Sequence, residues 1–112
     1  MRIFYGSSAG RADVPYDAPV EATLDTALSI LADLDVRLGF LGVVLDDRYQ
    51  LQLLRERIGM RVELLDCSIP AFDECLADSP FAESLLRAAA DGQDVFAVAR
   101  ASSYQWEHIS LA

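Results

Sequence analysis

Three short extended runs in the middle of the chain constrain its fold more than any other feature. Phe40 to Leu45, Tyr49 to Arg55 and Arg61 to Leu65 follow one another with only Asp46-Asp47-Arg48 and a turn around Gly59 between them. Connections this short join antiparallel neighbours, because a parallel crossover needs a dozen or more residues. In the second run Tyr49, Leu51 and Leu53 alternate with Gln50 and Gln52, and in the third Val62 and Leu64 alternate with Arg61 and Glu63. One face of the predicted meander is therefore apolar and the other wet. An apolar sheet face needs a cover, and the segment from Val20 to Leu38 offers one. Its apolar positions Val20, Leu24, Ala27, Leu28, Leu31, Leu34 and Leu38 recur at helical spacing. Pro19 suits a first helical turn, Glu21 and Asp25 lie near the positive end of the dipole, and Gly39 is a natural stop.

The flanks are less regular. Arg2 to Tyr5 reads as a short strand leading into Gly6-Ser7-Ser8-Ala9-Gly10 and a loop broken by Pro15 and Pro19. Beyond the meander, Ser68-Ile69-Pro70 opens a short helical turn carrying Phe72, Cys75 and Leu76. Ser79-Pro80 then reads as an N-cap and first-turn proline of a helix with Phe81, Leu85 and Leu86 on one side, ending at Asp91-Gly92. Val95 to Ala99 and Tyr104 to Leu111 read as extended, forming a hairpin or adding to the meander. The expected fold class is α+β: an antiparallel meander of three to five strands packed against a long N-terminal helix, with two short helices after the meander. A chain of 112 residues, 53% hydrophobic, suits one domain spanning residues 1–112. Its longest apolar run, Leu38 to Leu45, falls far short of the roughly 20 residues of a membrane-spanning helix. The residues after Met1 lack the apolar core of a secretory signal. A soluble, cytoplasmic protein is expected.

Charge narrows the function. The chain has 18 acidic residues against 9 basic ones, all arginine, and a net charge of −9. The imbalance is segregated: Asp13 to Asp47 and Val62 to Asp94 each hold eight acids and one base, while Arg48 to Arg61 holds four arginines and one glutamate. Phosphate contacts need clustered positive charge, so the acidic balance of the whole chain disfavours nucleic acid, and none is expected as a partner.

Catalytic and metal motifs are also wanting. Gly6-Ser7-Ser8-Ala9-Gly10 matches G-x-S-x-G after a predicted strand, but the nucleophile elbow needs a helix directly behind its serine, and here a proline-interrupted loop follows. His108 is the only histidine available as a base. Cys67 and Cys75, eight apart, match neither a redox pair nor a zinc site. The acid pairs Asp46-Asp47 and Asp73-Glu74 lack the further oxygen ligands of a cation loop. No enzyme activity, metal or cofactor is expected.

An amphipathic first helix, then Phe40-Leu41-Gly42-Val43-Val44-Leu45-Asp46-Asp47, Gln50-Leu51-Gln52-Leu53-Leu54 and Arg61-Val62-Glu63-Leu64-Leu65-Asp66, then short acidic helices, resembles the small acidic immunity proteins of bacterial antagonistic toxin systems, including polymorphic toxins and type VI secretion effectors. The resemblance implies a protein that binds a cognate cytosol-acting toxin and blocks it sterically, without turnover. A toxin acting on nucleotides or nucleic acid carries a basic cleft, which an acidic partner can occupy at a steered rate. The alternative is a non-catalytic regulatory or small-ligand-binding module of a housekeeping pathway, marked by a sizeable pocket with convergent polar groups. From the residues themselves, the candidate partner surface is Asp66, Phe72, Asp73, Glu74 and Asp78, an acidic rim around an aromatic anchor, with Asp46 and Asp47 as a second edge.

Overall fold

The structure, a computed structural model, describes residues 1–111. Its elements in chain order are β1 (Arg2–Gly6), β2 (Val20–Glu21), α1 (Leu24–Ala32), β3 (Phe40–Val44), β4 (Tyr49–Glu56), β5 (Gly59–Asp66), β6 (Ala71–Ala77), α2 (Ser79–Ala90), α3 (Val95–Arg100) and β7 (Glu107–Ser110). The strands form one seven-stranded sheet in the order β2-β1-β3-β4-β5-β6-β7, with every pairing antiparallel. The expected three- to five-stranded meander under a long helix is thereby overturned. The sheet dominates, and three helices of nine, twelve and six residues cover it. None of these helices is long and apolar enough to cross a membrane.

The long N-terminal helix fails at both ends for identifiable reasons. Thr23 is its N-cap, with Oγ1 accepting from Thr26 N at 3.2 Å, so Val20 and Glu21 fall outside and pair with β1 instead. At the other end, backbone from the Gly6–Gly10 loop takes over the helix terminus. Ala9 N donates to Asp33 O at 2.9 Å and Asp35 N to Ser7 O at 2.8 Å, which turns the chain out of helical geometry. The Asp35 carboxylate then accepts from the backbone N–H groups of Arg37 and Leu38, contacts that hold its pKa below the usual value. Leu34 and Leu38 keep the helical spacing in sequence but separate in space: Leu34 is 6% exposed and Leu38 72%.

Three further segments differ from expectation. Residues 71–77 are a strand rather than a helical turn, because Cys75 and Ala77 alternate onto the buried side and pair opposite Val62 and Met60 of β5. Asp78, not Ser79, caps α2; its Oδ1 accepts from Phe81 N at 2.9 Å. Residues 95–100 form α3, with Asp94 as the cap and Val95 and Ala99 buried. Of the final extended run only Glu107–Ser110 is strand, laid on the outer edge of β6.

All three helices bury their apolar sides against the same face of the sheet. Ala27, Ile30 and Leu31 of α1, Leu85 and Leu86 of α2 and Val95 of α3 meet Ile3, Leu41, Val43, Leu51, Leu53, Val62 and Leu64 in one cluster. Tyr104 and Trp106 join its margin, Tyr104 through a ring contact of 4.6 Å with Phe81. The Trp106 Nε1 donor is buried there without a hydrogen-bond partner among the described residues. On the opposite face two aromatic rings lie over glycines of the neighbouring strand. Phe4 covers Gly42 and Phe40 covers Gly6, where added Cβ atoms would come within 2.0 Å and 2.6 Å of the rings.

Candidate functional site

The second face of the sheet carries no helix. Strand alternation places Glu63 between the buried Val62 and Leu64, so its side chain faces away from the core. Register then sets Gln52 of β4 opposite Glu63, Glu63 opposite Glu74 of β6, and Glu74 opposite Glu107 of β7. Three carboxylates thus stand side by side across neighbouring strands. One flanking row holds Val44, Gln50, Leu65, Phe72 and Ile109, and the other Phe40, Leu54, Arg61 and Leu76. Leu76 is 44% exposed.

The row is only partly compensated. Arg61 reaches Glu74 Oε1 through Nη1 at 3.1 Å and donates from Nε to Glu56 Oε1 at 2.8 Å. Glu63 and Glu107 have no hydrogen bond or ion pair from a side chain among the described residues. Burial pushes the Glu63 carboxyl above its usual pKa and the Glu74 charge adds to this, against a smaller opposing pull from Arg61. Like charges directly opposite on adjacent strands destabilise a sheet. An acid whose pKa is raised on folding binds its proton more tightly in the native state, so its contribution falls as pH rises from the ordinary value of 4.5 through the raised one. Glu63→Gln is therefore expected to stabilise the protein by about 0.5 kcal/mol at neutral pH. Urea denaturation at two pH values checks this: the gain should shrink towards zero near pH ~4, and its absence at neutral pH would refute the strain.

The seven sequence candidates scatter among different roles. Phe72 and Glu74 lie on the uncovered face, beside Glu63 and Glu107, which sequence reasoning left out. Asp66 is bound bidentately by Arg48, at 2.8 Å from Nε and 2.6 Å from Nη2, and also accepts from Ser68. Those contacts hold it far below the usual carboxylate range. Asp73 faces the helix side, where His108 Nδ1 lies 2.7 Å from Oδ1 and Arg100 Nη2 donates to Oδ2 at 3.1 Å. Burial raises its pKa, but the His108 and Arg100 contacts outweigh this and leave it lowered. Asp78 is occupied as the α2 cap. Asp46 Oδ1 accepts from the backbone of Arg48 and Tyr49 in the β3–β4 turn, and Asp47 is exposed at its tip.

Asp46, Asp66, Phe72 and Asp73 do share one feature, a cleft of about 710 Å³. It lies where the β3–β4 turn, the start of β6 and the α2–α3 junction meet.

The G-x-S-x-G segment takes a structural role. Ser8 is 3% exposed, and its hydroxyl donates to Ile30 O at the end of α1 while accepting from Arg11 Nη1. It follows β1, whereas His108 lies in β7, five strands across the sheet and so roughly 24 Å away at ~4.8 Å per strand. No serine–histidine pair forms. Cys67 is exposed and Cys75 buried; both are free, and burial with the Glu74 charge pushes the Cys75 thiol up to about 11. No cluster of three or more histidine, cysteine or carboxylate side chains suited to a metal occurs among the described residues.

No protein-family model, no curated protein and no solved structure matches this chain.

Proposed function

We propose that this protein is an immunity protein that binds a cytosol-acting bacterial toxin and blocks it sterically, laying the uncovered acidic sheet face over the toxin's basic cleft. The observation that carries the reading is the Glu63–Glu74–Glu107 row. Three adjacent carboxylates with one guanidinium among them disfavour the free protein, and positive groups from a partner would relieve that repulsion on binding. Phe72, Leu65 and Leu76 beside the row supply apolar contact, the arrangement of an interface whose charges steer and whose apolar groups anchor. The net charge of −9 extends the attraction beyond contact distance and speeds encounter at low salt. Blockade of this kind needs no catalytic group on the immunity protein.

The test is capture from the host with the tagged protein and with a Glu74→Lys/Glu107→Lys variant. A captured basic protein that is toxic when expressed alone, is rescued by the wild-type chain, and associates at least about tenfold more slowly with the variant supports the reading. A partner that is acidic, is not toxic, or is held equally well by the variant overturns it.

A further inference from the structure

The cleft at the α2–α3 junction has a chemistry of its own. Its floor is apolar, formed by the buried Val43, Leu64 and Val95. Its wall is aromatic: Tyr49 and Phe96 meet edge to face with ring centroids 5.1 Å apart. The positive groups around it are already committed. Arg48 lies over the Tyr49 ring and pairs with Asp66, and Arg100 lies over the Phe96 ring and pairs with Asp73, which also holds His108. The Met1 ammonium, also on the lining, donates to Ala22 O and pairs with Glu21.

Two lining carboxylates remain outside those pairs, Asp46 and Asp94. Each uses Oδ1 for backbone N–H groups, Asp46 in the β3–β4 turn and Asp94 at the α3 cap. Neither Oδ2 accepts a hydrogen bond among the described residues. An apolar floor, an aromatic wall and two surplus negative charges select an organic cation over an anion or a neutral ligand. A volume of about 710 Å³ falls within the range of small-molecule sites. We propose that this cleft binds a guanidinium or primary ammonium group carried on an apolar stem, the stem over Val43, Leu64 and Val95 and the head between Asp46 and Asp94. That head group has two possible sources, a free alkyl cation or an arginine side chain of a partner protein. The cleft borders the uncovered sheet face at Val44 and Phe72 but takes in none of its Glu63–Glu74–Glu107 row, so the proposal stands whether or not a toxin binds there.

The test is an NMR titration of the full chain with two singly charged probes, n-butylguanidinium and the peptide acetyl-Gly-Arg-Gly-amide. Saturable shifts at Tyr49, Val95 and Phe96 are expected, with a Kd on the order of 1 mM or tighter. Asp46→Asn and Asp94→Asn should each weaken binding about tenfold, since each removes a charge while keeping the acceptor that its turn or cap requires. Tighter binding of n-butylguanidinium assigns the site to a free cation, and tighter binding of the peptide assigns it to a partner's arginine. No saturable shift with either probe up to about 10 mM overturns the proposal. So does equal affinity for pentanoate, or unchanged affinity in both asparagine variants. Both variants leave Glu63, Glu74 and Glu107 intact, so failure here is distinguishable from failure of the toxin reading.

Discussion

Gly42→Val is expected to destabilise the protein by about 2–4 kcal/mol, through overpacking and lost burial of Phe4. A Cβ at this position would sit 2.0 Å from Phe4 Cζ, with the other close ring atoms at 2.3 and 2.5 Å, so the ring must leave its place. Phe4 is 1% exposed and packs against the Phe40 ring at a centroid distance of 6.3 Å, so displacing it disrupts buried apolar contact. Gly42 also lies in β3, near the middle of the sheet between β1 and β4, where backbone shifts propagate to both neighbours. Urea denaturation gives the magnitude, and a double-mutant cycle gives the cause. If the ring is responsible, Phe4→Ala should cost markedly less in the Gly42→Val background than alone. Additive losses would mean that the clash was relieved elsewhere. Gly10, whose added Cβ meets nothing within 4 Å, is a useful contrast. Its φ of +76° still disfavours a side chain, so Gly10→Ala should cost only about 1 kcal/mol.

The parts of the fold legible in the sequence were those set by local chemistry. The runs at Tyr49–Leu53 and Arg61–Leu64 alternate, Phe40–Leu45 is a short apolar run, and Asp46 and Gly59 punctuate them, so β3, β4 and β5 lie within a residue or two of the runs read from the pattern. The parts that escaped depend on distant partners. Phe72, Cys75 and Leu76 satisfy a helical spacing, while Cys75 and Ala77 satisfy a strand spacing equally well. What decides is the open edge of β5, which no local pattern reveals. The run Val95-Phe96-Ala97-Val98-Ala99 is β-prone by composition, yet the Asp94 cap and burial of Val95 and Ala99 make it helical. Similarly, Asp33 and Asp35 could have been exposed helix residues. Pairing of the Gly6–Gly10 loop with them is what ends α1.

The same distinction explains the site. Alternation alone places Arg61 and Glu63 on the wet face, but nothing in the sequence marks Glu63 as facing another acid. That juxtaposition exists only if residues 71–77 are a strand in the observed register. A helical turn there would send Glu74 elsewhere. Asp66 and Asp73 look free in the sequence because their partners lie far along the chain, whereas Asp78 is taken up locally by Phe81 N, three residues on. Arg48 precedes Asp66 by 18 residues, and Arg100 follows Asp73 by 27. Acid count locates negative charge in a sequence; the ion-pair and register map decides which of it remains for a partner.

Ser8→Ala is expected to lower stability by about 1–2 kcal/mol and to leave ester hydrolysis at background. The substitution removes the hydroxyl that donates to Ile30 O at the end of α1, leaving that carbonyl with only the Asp33 N–H at 3.2 Å, and it strips the part-buried Arg11 contact of its acceptor. The Arg11 guanidinium further holds Ala9 O at 3.2 Å, Asp33 Oδ2 at 2.8 Å and Ser29 Oγ at 2.8 Å. These contacts tie the glycine-rich loop to the last turn of α1, which is why a motif suited to a nucleophile here serves as a clamp. Arg11→Ala should therefore cost about as much as Ser8→Ala, and the double variant less than the sum, because the two side chains share a hydrogen bond. Thermal and urea unfolding measure the losses, and hydrolysis of a model ester by the purified variants measures the chemistry. A folded, undestabilised Ser8→Ala protein that had lost a wild-type esterase activity would replace the clamp with a nucleophile and remove the basis for a purely blocking function.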